Sequence, residues 1–467
     1  MPSRQDQLHS YQFMVQRVVA ALVMRETDPS QSPFRRVAGA TLAGALVAAI
    51  ALGAVGAYGI IEGGGSERWR DTSAVIVEKE SGARFVYRDG KLHPVLNYAS
   101  GLLIVGASRP RTVLVSRRSI EGVPRGTPLG VPDLPDSLPA AGRLVGAPWT
   151  VCSGPVAEDG RSVIRSALFV GRGAEGGRPL GESALLARGG HSTYLIYHNR
   201  RHRIRDTTTV LAALGWAHQQ PVIVTAALLN TLDVGTTLEL IDVPGRGKAS
   251  SVGADTKIGQ VFVSELQGGG RQYAVALADG IASISQVQAD ILLSDRATRD
   301  LIGQTEPTRL AQGDFAAARK LPAIDIAGGT APPATPPLAA ADGAVCTSTA
   351  DGTGVMEVRA QAGIPDVGPA VRTGARTTAG AVLADYVFVE PGRGALVQTA
   401  AGPGAPGGTL SLVTDLGRRY AVSSPDVLGM LGFGGVRPVR LPAGVVSLTP
   451  AGNALDPAEA RGPAVVQ

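Results

Sequence analysis

An uncharged run of 25 residues near the N-terminus limits what this chain can fold into more than any other feature. From Val37 to Ile61 the sequence reads VAGATLAGALVAAIALGAVGAYGII. As a helix the run is about 37 Å long, enough to cross a hydrocarbon core of about 30 Å with some tilt. A cleaved signal peptide has a shorter apolar stretch, of about 7–15 residues, behind a short basic head. Because 36 residues precede this run, it predicts an uncleaved transmembrane anchor.

The charges on either side of the anchor predict its orientation. Arg35 and Arg36 border the run directly, and the opposite side opens with Glu62 and several glycines. The preceding segment also holds Arg4, Arg17 and Arg25. Basic residues are enriched on the cytoplasmic side of membrane helices. We therefore expect residues 1–36 in the cytoplasm and residues 62–467 outside.

A helical pattern precedes the anchor at residues 8–25, where Val15, Val18, Val19 and Leu22 share one face. An isolated helix of this length is marginal in water. We expect the apolar face to pack either on a partner or on the membrane surface, and the sequence leaves both alternatives open.

Small residues recur inside the anchor at Gly53, Gly56 and Gly59. A small-residue face lets another membrane helix approach closely. The same spacing also arises by chance in an alanine-rich and glycine-rich run, and both interpretations stand.

A gapless internal repeat organises the rest of the chain. Eight apolar or glycine positions recur in register in three segments. They are Leu102, Val105, Gly106, Val113, Val115, Ile120, Gly126 and Leu129; Leu211, Leu214, Gly215, Val222, Val224, Leu229, Gly235 and Leu238; and Leu428, Leu431, Gly432, Val439, Leu441, Val446, Gly452 and Leu455. Each segment predicts a short hairpin, a helix and a short strand, with the first glycine of each set ending the helix.

The predicted hairpins precede these helices. They cover residues 85–87 with a turn at Asp89 and Gly90, residues 194–197 before Asn199, and residues 410–413 before Asp415. A weaker copy begins at residue 273 with a turn at residues 279–280 and a helix through residue 292, and its second half loses the register. The chain therefore contains four predicted repeats.

Strand-like stretches of another character lie at residues 149–188 and 343–398. We expect an α+β, β-rich fold: one N-terminal transmembrane helix, then four small αβ repeat domains around a β-rich central domain with pseudo-two-fold symmetry. The predicted division is 1–36 cytoplasmic amphipathic segment, 37–61 transmembrane helix, 62–82 juxtamembrane linker, 83–140 repeat 1, 141–190 central domain (first part), 191–250 repeat 2, 251–326 repeat 3, 327–343 flexible or polyproline-like Pro/Ala linker, 344–407 central domain (second part), 408–458 repeat 4 and 459–467 disordered tail.

The chain has two cysteines, Cys152 and Cys346, at matching points of the two halves. Outside the membrane a disulfide is the expected state, and two unpaired buried thiols are the alternative. The bond would span 194 residues, for which the chain-entropy model gives roughly 5 kcal/mol as an upper figure.

Motifs for chemistry are missing from the sequence. Residues 245–249 (GRGKA) lack the spacing and the hydroxyl of a phosphate loop. His198 and His202 have the spacing of some metal ligands but no thiol or carboxylate cluster beside them, so we expect an ordinary exposed turn. The net charge of +5 is scattered, without a basic stripe interleaved with aromatic residues. We predict no catalytic residue, metal, cofactor or nucleic acid, and hence a scaffold or interaction protein.

The order of these features resembles the EccB family of type VII (ESX) secretion systems. The resemblance rests on the N-terminal QDQLHSYQFMVQRVVAALV, the lone anchor, PRGTPLGVPDLPDSLPAAGRLVGAPWTVCSGP at 124–155, VLAALGW with PVIVTAALLNTL in repeat 2, and GAVC at the second cysteine. It departs from the family before the anchor, where residues 24–27 (MRET) replace a more basic stretch.

The resemblance implies a single-pass protein of an actinobacterial cell membrane, with four repeats and one disulfide. It also implies the partners EccC (a motor ATPase), EccD, EccE and a mycosin protease in a hexameric assembly. We expect a structural subunit that organises the extracytoplasmic side of the complex for protein export. Two alternatives remain: an extracytoplasmic ATPase, as family members have been described, and a peptidoglycan-binding anchor.

Overall fold

A computed structural model describes most of the chain and confirms the predicted class: mixed α and β, rich in strands, with one apolar N-terminal helix. The described residues are 3–24, 33–63, 67–322, 330–340, 342–349, 356–368, 370–401, 405 and 407–465. They belong to two compact units, the first comprising Met1–Asp71, Ile76–Ala83 and Val113–Pro124, the second Thr72–Val75, Arg84–Thr112 and Arg125–Gln467.

The first unit holds the two long helices, α1 (Arg4–Met24) and α2 (Pro33–Gly63). A short 3-10 helix (Glu67–Arg70) and the end of β1 (Ala74–Glu78) follow. Within this unit, Arg117 Nε donates to Glu78 Oε1 over 2.6 Å, and Ser81 Oγ donates to the same carboxylate over 2.7 Å. These bonds fix the turn that follows β1.

Repeat 1 continues with a hairpin and a helix. Its elements are β2 (Arg84–Arg88), β3 (Lys91–Pro94), α3 (Tyr98–Val105) and β4 (Arg111–Val115). Asp89 and Gly90 form the hairpin turn with φ of 49° and 75°. Gly106 ends α3 in the left-handed conformation, φ 67°, and its N–H bonds to the Leu102 carbonyl over 2.9 Å. This is the glycine stop that the repeat pattern predicts.

The first part of the central domain and repeat 2 follow in the chain. Their elements are β5 (Thr150–Glu158), β6 (Arg161–Phe169), β7 (Glu175–Pro179), β8 (Leu185–Gly189), β9 (Ser192–Tyr197), β10 (Arg200–Ile204), α4 (Thr207–Ala213), β11 (Val222–Ile223), α5 (Ala226–Asn230) and β12 (Asp233–Val234). Repeat 2 is a five-stranded sheet in the order β11-β8-β9-β10-β12. The sequence division placed β8 in the central domain, and this differs from the structure: Leu185 pairs with Ile196 of β9.

Repeat 3 has the same topology as repeat 2. Its elements are β13 (Val261–Glu265), β14 (Arg271–Ala276), β15 (Ile281–Ile284), α6 (Gln286–Ser294), α7 (Arg296–Ile302), β16 (Thr308–Arg309), α8 (Gln312–Ala317) and β17 (Lys320–Leu321). The sheet order is β16-β13-β14-β15-β17. The helix α7 has no counterpart in repeat 2. This insertion explains why the second half of the copy loses register in the sequence.

The second part of the central domain and repeat 4 complete the chain. Their elements are β18 (Ala344–Thr349), β19 (Met356–Gly363), β20 (Val371–Arg372), β21 (Tyr386–Phe388), β22 (Gly394–Ala400), β23 (Leu410–Thr414), β24 (Arg419–Ala421), α9 (Asp426–Met430), β25 (Val439–Pro442), α10 (Ala443–Val446) and α11 (Pro457–Ala460). Repeat 4 is a sheet in the order β24-β23-β22-β25. The sequence division placed β22 in the central domain, but its residues pair with β23, as Leu396 does with Leu412.

The central domain is a seven-stranded sheet in the order β20-β21-β6-β5-β18-β19-β7. The two halves meet where β5 and β18 pair antiparallel. Each half also gives a strand to the hairpin of the other: β7 pairs with β19, and β21 pairs with β6. The exchange is not symmetric in direction, because β7 runs antiparallel and β21 parallel to its neighbour.

Apolar cores join the repeats to this sheet and to each other. One core combines the central residues Trp149 and Val151 with residues of repeats 2 and 4, among them Ile196 and Val445. A second core is shared by repeats 1 and 4, and a third by repeats 2 and 3. The repeats therefore pack in two pairs, first with fourth and second with third.

Two predicted flexible segments contact the folded repeats where the structure describes them. In the Pro/Ala linker, the Thr330 hydroxyl bonds to the Thr236 hydroxyl over 2.9 Å, and Ala184 N–H bonds to the Pro337 carbonyl over 2.9 Å. In the tail predicted to be disordered, Ala460 is buried and Ala464 N–H bonds to the Pro128 carbonyl. Composition alone did not reveal these contacts, because groups on residues distant in the sequence make them.

In repeats 1, 2 and 4, the side-chain ring of a histidine or tyrosine packs directly on the second glycine of the repeat pattern. A Cβ at Gly126, Gly235 or Gly452 would stand 2.2–2.4 Å from a ring atom. The rings belong to His93, His202 and Tyr420, each on the strand that closes the hairpin. The glycine is thus required for close approach of a side chain.

Candidate membrane anchor and central disulfide

The helix α2 has the length and composition of a membrane span. At 1.5 Å per residue, its 31 residues extend about 46 Å. The segment Val37–Tyr58 is the apolar part, and none of it is buried. Among the described residues this is the one helix that is long and apolar enough to cross a membrane.

The glycines of α2 leave its surface open. A Cβ at Gly53 or Gly56 would meet no atom within 4 Å. A helix can approach another closely over such a surface. Whether it does so here remains the prediction made from the sequence.

The preceding helix α1 exposes the apolar face that the periodicity predicts. Val15, Val18 and Leu22 are 43%, 52% and 75% exposed. Leu8 and Tyr11 extend the same face toward the N-terminus and are also exposed. Packing of this face on a protein partner or on the membrane surface is the prediction made from the sequence.

The structure joins Cys152 and Cys346 by a disulfide. The two residues are direct partners across the antiparallel strands β5 and β18, with their Cα atoms 4.0 Å apart. Both side chains are fully buried, in an apolar cluster with Phe169. The bond therefore lies where the two halves of the central sheet meet.

Hydroxyl groups beside the disulfide connect the central sheet to repeat 2. The Thr225 N–H donates to Ser153 Oγ over 2.9 Å. The Thr231 and Thr347 hydroxyls are 2.9 Å apart, and both residues are buried. A displacement of α5 would break both contacts.

An ion cluster binds the exchanged strand β21 to the β5–β6 hairpin. Arg165 donates to both carboxylate oxygens of Glu158 over 2.8 Å, and the Tyr386 hydroxyl donates to the same carboxylate over 2.7 Å. These hydrogen bonds, that from Arg165 first, lower the pKa of Glu158 to about 2. The neighbouring Asp385 accepts from the Ser166 N–H over 2.8 Å. The sequence analysis missed this cluster because 228 residues separate Glu158 from Tyr386.

The two spaced histidines do not converge on one site. His198 is in the hairpin turn, half-exposed, 3.1 Å from Glu182. His202 is fully buried, which corrects the expectation of an exposed turn, and its Nδ1 bonds to the Thr236 carbonyl over 2.9 Å. Burial lowers the pKa of His202, so its ring is neutral near pH 7. In the described part of the chain, no group of three or more His, Cys, Asp or Glu side chains is placed to hold a metal.

The glycine-rich loop at 245–249 has a structural role. Arg246 donates to Thr298 Oγ1 over 2.5 Å and to Asp295 over 3.3 Å. Gly247 lies against Leu301 of α7, where an added Cβ would be 3.2 Å from the Leu301 Cβ. The loop thus anchors the helix inserted in repeat 3.

Comparison with known proteins places the chain in a family. The family model described as "Type VII secretion system ESX-1, transport TM domain B" matches residues 1–464. The "ESX-3 secretion system ATPase EccB3" of Mycobacterium tuberculosis is 28% identical, over 97% of this chain and 88% of the relative. The "ESX-5 secretion system ATPase EccB5" of Mycobacterium marinum is 30% identical, over 69% of this chain and 64% of the relative.

Solved structures are similar over most of the fold. A chain from the intact ESX-5 inner membrane complex has a TM-score of 0.62 at 27% identity, covering all of this chain and 96% of that one. The EccB3 dimer from the ESX-3 core complex also gives 0.62, at 26% identity over 83% of this chain and 100% of that one. The chain belongs to the EccB family of type VII secretion systems.

Proposed function

We propose that this chain is a structural subunit of a type VII secretion membrane complex. Its helix α2 fixes it in the membrane, and its second unit organises the extracytoplasmic side for protein export. The observation that supports this most is the continuous core of the central sheet with repeats 2 and 4, reinforced by the buried Cys152–Cys346 bond. Such a core makes a stiff platform that can hold partners in fixed positions.

Residues 1–36 lie in the cytoplasm and the repeats outside, in this proposal. The arginines on the N-terminal side of α2 support this orientation, as does a disulfide, which forms in oxidising compartments. An alkaline phosphatase fused to the C-terminus should be active, and a reporter that works only in the cytoplasm should be silent there. The reverse pattern would contradict the orientation.

The proposed domains follow the strand pairing. Repeats 1, 2 and 4 begin one strand earlier than the sequence division has it, at Ala74, Leu185 and Gly394, whereas the first strand of repeat 3, at Val261, lies within the division 251–326. The central domain comprises β5 to β7 and β18 to β21. Proteolysis should therefore cut between these units before it cuts within them.

The partners are EccC, EccD, EccE and a mycosin protease, together with further copies of this chain in a hexameric complex. Solved relatives described as an inner membrane complex and as an EccB3 dimer support assembly and self-association. Deleting residues 1–36 should prevent assembly while the second unit remains folded. A deletion variant that still co-purifies with the complex would contradict the proposed role of this segment.

ATP hydrolysis is the second candidate, because the curated relatives carry the word ATPase in their names. An ATPase must hold phosphates, usually with Mg²⁺, and position an attacking water. We expect the purified full chain to show no saturable ATP turnover. Turnover that stays constant per mole through several columns, and that one substitution abolishes without changing Tm, would establish the ATPase instead.

A further inference from the structure

Positive charge is concentrated in one part of repeat 1. Residues 84–112 contain five basic residues and one acidic residue. The basic residues are Arg84, Arg88, Lys91, Arg109 and Arg111, and the acidic one is Asp89. This segment of 29 residues carries a net charge of +4.

Three of these cations lie at the same end of the repeat. Arg88 and Lys91 are cross-strand partners at the turn between β2 and β3. Because α3 follows β3 after a short connection and packs against β2, it runs back along the hairpin and ends near that turn. Arg109 comes three residues after the helix stop at Gly106.

The same three side chains are available for a ligand. Arg88, Lys91 and Arg109 are all exposed. Arg84, in contrast, pairs with Asp136 over 3.0 Å. Among the residues that the structure describes, none of the three exposed cations has a carboxylate partner. They form what we call the basic end of repeat 1.

A short chain segment connects α2 to repeat 1. The helix α2 ends at Gly63, and β1 begins at Ala74. The ten residues between them span at most about 36 Å when fully extended. A tether of this length gives a high effective concentration of lipid headgroups at repeat 1.

We propose that the basic end of repeat 1, formed by Arg88, Lys91 and Arg109, binds the anionic phospholipid headgroups of the leaflet beside it. Guanidinium and ammonium groups pair with phosphate oxygens. A basic segment beside a membrane helix is attracted to anionic lipids over a distance of about one Debye length. Headgroup binding would fix the height of repeat 1 above the bilayer. The proposal rests on α2 crossing the membrane.

The test uses the full chain in lipid nanodiscs. Because both native cysteines form the disulfide, a single introduced cysteine can carry a fluorescent label. Ser108 is exposed beside the basic end, so a fluorophore on Ser108→Cys reports its distance to acceptor-labelled lipid headgroups. The control label is Ala278→Cys, in the exposed hairpin turn of repeat 3. Discs contain phosphatidylcholine alone or with phosphatidylglycerol.

We expect energy transfer from residue 108 to be at least about twofold higher in discs with phosphatidylglycerol and to fall in about 0.5 M salt, where screening is strong. The triple variant Arg88→Gln, Lys91→Gln, Arg109→Gln should lose this increase. A matched triple variant, Arg161→Gln, Arg178→Gln, Arg203→Gln, removes three exposed arginines elsewhere and should keep it.

Equal transfer in both lipids would overturn the proposal. An increase that survives the first triple variant would also overturn it. Failure of the membrane span would look different. The protein would then leave the discs altogether in an alkaline wash, whichever lipid they contain.

Discussion

A single methyl group at Gly444 tests how tightly repeats 2 and 4 meet. Gly444 lies in α10 of repeat 4, and a Cβ there would stand 2.2 Å from the carbonyl oxygen of Asn230 at the end of α5 in repeat 2. This is more than about 1 Å short of van der Waals contact. The backbone of Gly444 is not in the left-handed region, so a side chain would add only the clash. We therefore expect Gly444→Ala to separate α10 from α5.

The expected change in the free energy of unfolding combines two opposing effects, overpacking of the site and the higher helix propensity of alanine. Inserting a methyl group into a packed site costs about 1–3 kcal/mol. Replacing glycine with alanine stabilises a helix interior by up to about 1 kcal/mol and stabilises a four-residue helix by less. Asn230 cannot yield easily, because the next residue, Thr231, is held by its bonds to Leu228 and Thr347. We expect a net destabilisation of about 1–2 kcal/mol, or a Tm lower by about 1–3 °C.

The assay is thermal and denaturant unfolding of the full chain in detergent, with Gly313→Ala as the matched control. Gly313 is also in a short helix, α8, and a Cβ there meets nothing within 4 Å. The control should be neutral or slightly stabilising. If Gly444→Ala were as stable as the control, repeats 2 and 4 would not approach as closely as described.

Three other variants probe repeat 2 and the central sheet. Burial lowers the pKa of His202, so its contribution to the free energy of unfolding should be complete above the unfolded-state pKa of about 6.5 and should fall as the pH drops below that value. The variant His202→Phe, which keeps a ring in place, should remove this part of the pH dependence. Unfolding measured at pH 7.5 and pH 5.5 tests this. Mass spectrometry of unreduced peptides should detect a bond between Cys152 and Cys346, and free thiols in protein that was thiol-blocked directly after purification would contradict it. Replacing both cysteines with alanine should lower the free energy of chemical unfolding by about 2–5 kcal/mol. Arg165 lowers the pKa of Glu158 to about 2, so the free energy of unfolding should decrease as the pH falls from about 4.5 toward 2. The variant Glu158→Gln should reduce this decrease. An acid unfolding curve that is unchanged in the variant would show that the cluster does not contribute to stability.

Local signals predicted the hairpins and helix stops, because turn residues and glycines determine them within a few positions. Asp89 with Gly90, and Gly106, adopt the positive φ values expected of them. The first strands of repeats 1, 2 and 4 could not be assigned in this way. In β8, residues 185–187 are buried in succession, as in a strand of the central sheet, so the sequence pattern does not say which sheet it joins.

Tertiary contacts decide the features that the sequence analysis missed. His202 lies between two arginines in β10, and its burial depends on Gly235, which is 33 residues away in the chain. The ion cluster needs Glu158 of one half and Tyr386 of the other. The cysteines were easier to interpret, because a pair in an oxidising compartment has one possible intramolecular partner each.

The strand exchange in the central sheet has a consequence for the order in which the chain folds. Repeats 2 and 3 are built from contiguous residues, whereas β6, which pairs with β5 on one edge, lacks its second neighbour until Tyr386–Phe388 has been synthesised. Pairings this distant in sequence form slowly, and an unpaired strand edge invites aggregation. During export, repeats 2 and 3 can therefore fold before the central sheet is complete, while Cys152 is still unpaired. A chain cut short before Cys346 would keep an open edge and a free thiol, so such truncated products should be degraded rather than persist as partly working subunits.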